Sequence, residues 1–162
     1  MKQANKQRLY TDLARYAKQI GILPNEVPKL IIDRKEMQEL LLTKRPRTGN
    51  PIVDKRVAAY GACEWSLRTI FVDANRRIRT HRIYKGFNYS KRELSKHKVT
   101  YRDLVGTLVH ELVHYRFSYM SHGAKFEQRI KEILEGRIFE PKHVHLFTSY
   151  PKYMRGNIDG CK

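Results

Sequence analysis

Two histidines that flank a glutamate, His110, Glu111 and His114, are the residues of this chain best suited to chemistry. Residues four apart lie on the same face of a helix, so the two imidazoles can direct their nitrogens at a single metal ion. Glu111, next to His110, can then take a proton from a water molecule beside that ion. The spacing is typical of a zinc-dependent peptidase helix. The structural alternative is a core helix whose histidines only form hydrogen bonds.

The flanking residues predict the helix that this spacing requires. Thr100 and Asp103 form a candidate capping box, and apolar residues recur with helical period from Leu104 to Val113. The two histidines therefore lie late on an amphipathic helix, among leucine and valine neighbours. Such apolar surroundings hold metal ligands in place.

A catalytic zinc ion takes three protein ligands and keeps one position open. His122 is the favoured third ligand, because residues 119–123 are typical of a break between helices and a histidine at the start of the next helix can reach back to the first. The alternative is a glutamate farther along that second helix, for which the candidates are Glu127, Glu132 and Glu135. Interleaved lysines and arginines favour a solvated helix face for these three glutamates.

Around these residues the sequence resembles the SprT-like, or Spartan, family of zinc metallopeptidases. The resemblance rests on Thr-Leu-Val-His-Glu-Leu-Val-His at 107–114 and His-Gly-Ala-Lys-Phe at 122–126, and it is specific over residues 100–135. It implies a Zn²⁺-dependent protease acting on proteins bound or crosslinked to DNA, with His110, His114 and His122 as zinc ligands and Glu111 as the catalytic base. Many members carry a cysteine zinc ribbon after the peptidase core, whereas this chain has only two cysteines.

Composition independently indicates a polyanionic partner. The chain carries 33 Lys+Arg against 16 Asp+Glu, a formal net charge of +17, which favours association with nucleic acid. Ten of the basic residues fall between Arg76 and Arg102, with one acidic residue and several aromatic ones among them, a mixture suited to binding phosphates and stacking bases. The alternative is a solvated surface stretch. The predicted nucleic-acid contacts are Arg76, Arg77, Arg79, Arg82, Lys85, Lys91 and Arg92.

The predicted fold is α+β, a single SprT-like domain over residues 1–162 with a core at about 55–136. A small antiparallel sheet is expected to pack on helices in a zincin-like core that carries the histidine helix. Helices are expected at about 6–20, 34–42, 101–116 and 123–135, and strands at 29–33, 57–63, 67–73, 79–84 and 144–148, with 79–84 extending 67–73 as a hairpin. Strand 67–73, or its partner at 78–83, is the candidate edge to which a substrate backbone adds.

The sequence contains no run typical of a signal peptide or a membrane span, which predicts a cytoplasmic or nucleoid-associated protein. Its expected partners are DNA, single- or double-stranded, and protein substrates bound to that DNA. The main alternative is a basic nucleic-acid-binding protein with a structural or inactive zinc site, and a zinc protease that uses its charge for another acidic partner is a third. Glu111 favours an enzyme, since a structural zinc site needs no carboxylate base. The oligomeric state stays open.

Overall fold

The computed structural model describes residues 2–44, 60–75, 77–79 and 96–144, and at 42–44, 77–79 and 96–98 it describes the backbone alone. Within these ranges the chain forms helices α1 (Gln3–Gln19), α2 (Arg34–Lys44), α3 (Tyr101–Arg116) and α4 (Ala124–Leu134). It also forms strands β1 (Lys29–Ile31), β2 (Gly61–Glu64), β3 (Thr69–Val72), β4 (Arg77–Arg79) and β5 (Lys96–Lys98). The predicted α+β class is confirmed.

The larger sheet is mixed, so the prediction of an antiparallel sheet is wrong. Its strand order is β1-β3-β2, with β1 parallel and β2 antiparallel to β3. Parallel neighbours need a long connection, and the segment containing α2 and β2 provides it. The prediction that 67–73 contains a free edge strand is also wrong, because β3 is paired on both sides. In the described part of the chain, β2 is the edge strand of this sheet that packs on α3.

A second, two-stranded sheet directly precedes α3. In it β4 pairs antiparallel with β5, and Arg79 lies opposite Lys96, so β4 does not extend β3 as the sequence had predicted. Of the predicted nucleic-acid contacts, Arg77 and Arg79 belong to the β4 backbone. The others lie outside the described residues: Arg76, Arg82, Lys85, Lys91 and Arg92. The predicted strand at 144–148 also lies outside them, apart from Val144.

The main hydrophobic core joins α1, the larger sheet, α3 and α4. Leu13 of α1, Ile70 of β3, Leu108 and Leu112 of α3, and Phe126 of α4 are all buried in one cluster. The apolar period of α3 therefore turns one face into this core and leaves its polar residues for the opposite face. None of the helices in the described ranges is both long and apolar enough to cross a membrane.

The segment after α4 is tied back to the start of the chain through Glu26. This buried carboxylate accepts a hydrogen bond from the Val144 N–H to Oε2 at 2.8 Å, and its Oε1 lies 2.7 Å from His143 Nδ1. Burial raises the pKa of Glu26, but the Val144 N–H and the His143 ring outweigh burial and hold that pKa below its ordinary value. The ionised carboxylate therefore stabilises the folded state.

Replacing Glu26 with glutamine should lower the free energy of unfolding at neutral pH by about 1 kcal/mol, because a charge-assisted hydrogen bond becomes a neutral one. A depressed pKa contributes stability above the unfolded pKa, about 4.3 for glutamate, and loses it as pH falls through the folded pKa. The difference between wild type and Glu26→Gln should therefore shrink in acid. Urea unfolding between neutral and acidic pH measures it, and a difference independent of pH would contradict this role.

Candidate metal centre and active site

The start of α3 fixes the register of the histidine helix. The Asp103 N–H donates to Thr100 Oγ1 at 3.2 Å, and the Thr100 N–H donates to Asp103 Oδ2 at 3.0 Å, so the predicted capping box is confirmed. His110, Glu111 and His114 then fall on the last two turns of the helix. Each is buried or half-buried.

The Nε2 atoms of His110, His114 and His122 converge on one point. His114 lies 3.2 Å from His110 and 2.8 Å from His122, and His122 lies 3.2 Å from His110, each distance joining two Nε2 atoms. A tetrahedral zinc ion with bonds of about 2.05 Å places its nitrogen ligands about 3.3 Å apart. The three imidazoles therefore lie close enough to bind a metal ion, and the triangle they form fits one face of a zinc tetrahedron.

The alternative carboxylate ligands do not join this cluster among the residues that the structure describes. Glu132, on α4, instead pairs with Arg137 and accepts a hydrogen bond from the Gln128 side chain. Glu127 and Glu135 are exposed. The solvated helix face expected for these three glutamates matches their positions.

Burial keeps the three imidazoles in the form that binds metals. It lowers the pKa of His110 to about 3, and it lowers the pKa of His114 well below the ordinary histidine value. Burial also lowers the pKa of His122, although Glu127 opposes this effect. All three rings are therefore neutral near pH 7, so metal binding requires no loss of protons from the ligands.

Phe126, four residues after His122, packs against all three imidazoles. Its ring centroid lies 4.8 Å from that of His110, 4.6 Å from His114 and 5.0 Å from His122, and its side chain is fully buried. From the opposite side, Trp65 Nε1 donates to the main-chain oxygen of His114 at 3.1 Å. An apolar wall of this kind restricts the orientations of the ligand rings. The sequence had predicted Phe126 only as a packing residue between helices.

Glu111 is buried against the edge strand β2. A Cβ atom placed on Gly61 would lie 2.7 Å from Glu111 Oε1, 2.8 Å from the Phe71 main-chain oxygen and 2.9 Å from Thr107 Cγ2. Gly61 therefore leaves the space that the carboxylate occupies. Sequence reasoning missed this residue, although a glycine inside a strand is a known sign of close approach by another group.

An open cleft of about 910 Å³ leads to the candidate catalytic residues. His110 and Glu111 line one end, and the cleft follows the polar face of α3 towards its first turn and towards α1. Tyr60, just before β2, lines its side. A polypeptide can therefore approach both His110 and Glu111 from solvent.

No family model, curated protein or solved structure matches the chain. The function is therefore inferred from the site itself. Neutral imidazole suits zinc and several other divalent transition metals, and three such ligands with one open position are typical of catalytic zinc.

Proposed function

We propose that the protein is a zinc-dependent endopeptidase of the SprT-like type. The observation that carries this proposal is the convergence of three imidazole nitrogens within 3.2 Å of one another beside the buried carboxylate of Glu111. Three ligands leave a coordination position open, which a structural zinc site normally closes with a fourth protein ligand. The resemblance of residues 100–135 to the family's motif supports the same interpretation.

His110, His114 and His122 would hold the zinc ion, which supplies a Lewis acid for the scissile carbonyl. Glu111 takes a proton from the attacking water on its carboxylate and passes it to the leaving amine. Gly61 helps by leaving the carboxylate its place between β2 and α3. The cleft beside these residues admits a peptide chain in an extended conformation.

The proposed substrates are proteins bound or crosslinked to DNA. The support is the net charge of +17 and the concentration of ten Lys and Arg residues between Arg76 and Arg102. The strands β4 and β5 belong to this basic segment, and β5 ends two residues before α3 begins. DNA bound there would lie at the start of the helix that carries His110 and Glu111, so binding would bring a DNA-bound protein to the cleft.

DNA should accelerate cleavage of a basic DNA-bound protein, and rising salt should abolish the acceleration before it unfolds the enzyme. Replacing Arg76, Arg77, Arg79 and Arg82 with glutamine should flatten the dependence of log binding constant on log salt by up to about one unit for each phosphate that these side chains neutralise. The measurement is the cleavage rate, with and without single-stranded and duplex DNA, across a salt series. A short peptide that does not bind DNA serves as the second substrate.

A matched control removes four charges elsewhere, at Lys2, Lys35, Lys125 and Lys131, all exposed. This variant should keep more of the DNA acceleration than the arginine variant. Equal rates with and without DNA at low salt would contradict the coupling and leave a zinc protease with another acidic partner. Zinc and DNA binding without cleavage by wild type would favour the alternative function, a nucleic-acid-binding protein with an inactive site.

A further inference from the structure

The cleft extends well beyond the candidate catalytic residues. From His110 it follows α3 back through Gly106 to Arg102, and Arg8 of α1 lines the same far end. Arg102 and His110 are eight positions apart, which corresponds to about 12 Å along a helix. An extended peptide covers that distance in about three to four residues.

Gly106 is the floor of this cleft, one helical turn before His110. A Cβ atom placed there would meet no atom of the described residues within 4 Å, and the backbone of Gly106 is helical. Glycine is less favourable than alanine in a helix interior, and packing in the described structure gives no reason for it. A chain lying against α3 at this point does give one, because it needs the space that a side chain would take.

Two guanidinium groups at the far end are available to a ligand. Asp12 is occupied, since Arg15 donates to its Oδ1 at 2.9 Å and the Tyr101 hydroxyl donates to its Oδ2 at 2.5 Å. Arg8 stacks on the Tyr101 ring, with its guanidinium carbon 4.2 Å from the ring centroid. Arg8 and Arg102 are both exposed, and within the described ranges no carboxylate forms an ion pair with either.

We infer that this cleft selects an extended peptide with an acidic side chain three or four residues from the scissile bond. The peptide backbone crosses Gly106, and the acidic side chain is received by Arg8 and Arg102. Tyr101 positions Arg8 through the stacked ring, and Asp12 positions Tyr101. The inference rests on the proposed peptidase function, to which it adds a substrate preference.

Binding is measured first, on the Glu111→Gln protein, which holds zinc but should not cleave. The probes are fluorescein-labelled peptides of about ten alanine, serine and glutamine residues, with or without one glutamate, long enough to span the cleft. We expect the glutamate peptide to bind about five- to tenfold more tightly, as a charge-assisted contact allows. Adding Arg8→Gln and Arg102→Gln should remove that preference, whereas adding Lys35→Gln and Lys131→Gln, an equal loss of charge outside the cleft, should keep it.

Cleavage by the wild-type protein then tests the spacing. With the glutamate moved along the peptide, kcat/KM should be highest when it lies three or four residues from the bond cut, as located by mass spectrometry. Gly106→Ala should raise the midpoint of thermal unfolding and keep the zinc, yet lower kcat/KM for the same peptides several-fold. A merely structural glycine would give the reverse pattern, lower stability with unchanged kcat/KM, and that result would overturn the inference.

The remaining outcomes separate this inference from the proposed function. Cleavage with no preference for the glutamate peptide would overturn the cleft assignment and leave the peptidase in place. Binding of the glutamate peptide through Arg8 and Arg102 without any cleavage by wild type would overturn the peptidase and leave the cleft assignment. An oligonucleotide that depends on the two arginines, while the peptides do not, would make the cleft a nucleic-acid surface and overturn the inference.

Discussion

Replacing Glu111 with glutamine should lower peptidase activity by about 10²- to 10⁴-fold, the usual contribution of a general base, while zinc content stays as in wild type. The amide has nearly the shape of the carboxylate, so it fits the space beside Gly61, and the three imidazoles are unchanged. It has no site that accepts the proton of the attacking water. Cleavage kinetics, metal analysis and thermal unfolding of the same preparations give the three quantities.

Glu135→Gln is the matched control, because it makes the same chemical change at an exposed position just after α4. It should cleave at the wild-type rate. Undiminished cleavage by Glu111→Gln would show that another group acts as the base or that the activity belongs to a contaminant. Loss of zinc by this variant would instead give Glu111 a structural role in the metal site.

Replacing His122 with alanine should remove most of the bound zinc, since it takes away one of three converging imidazole nitrogens. Wild type should hold one zinc ion per chain after dialysis, and a competing chelator should strip the His122→Ala protein at far lower concentration. Activity should fall with the metal.

The glutamates of the second helix provide the comparison for His122. Glu132→Ala and Glu135→Ala should keep their zinc, because Glu132 pairs with Arg137 and Glu135 is exposed. Retention of zinc by His122→Ala together with its loss in either glutamate variant would move the third ligand to a carboxylate. The site would then follow the pattern of two histidines and a distant glutamate on the next helix.

The helices could be predicted from the sequence because their signals are local. Thr100 and Asp103 meet across one turn, and the apolar period of α3 needs only a dozen consecutive residues to be visible. The end of α4 is similar, since Gly136 takes a left-handed backbone with φ of 101° that favours glycine. The convergence of His122 on the first two histidines followed from the short break between two helices.

The sheets were harder because strand pairing joins distant segments. The parallel pairing of β1 with β3 depends on where the chain returns, and neither strand carries a signal for it. Strand β5 has the sequence Lys-His-Lys, without the β-branched or aromatic residues that usually mark a strand. Gly61 was missed for the same reason, since its role appears only when β2 lies against Glu111.

The two halves of the site differ in the range of chain that each one needs. The metal ligands span only twelve positions and come from a pair of adjacent helices, so short-range contacts are enough to assemble them. The place of the Glu111 carboxylate depends on Gly61, which a separate sheet brings from much earlier in the chain. A variant with a disturbed sheet can therefore retain a full complement of zinc and still be a poor catalyst, so metal content by itself does not measure active enzyme.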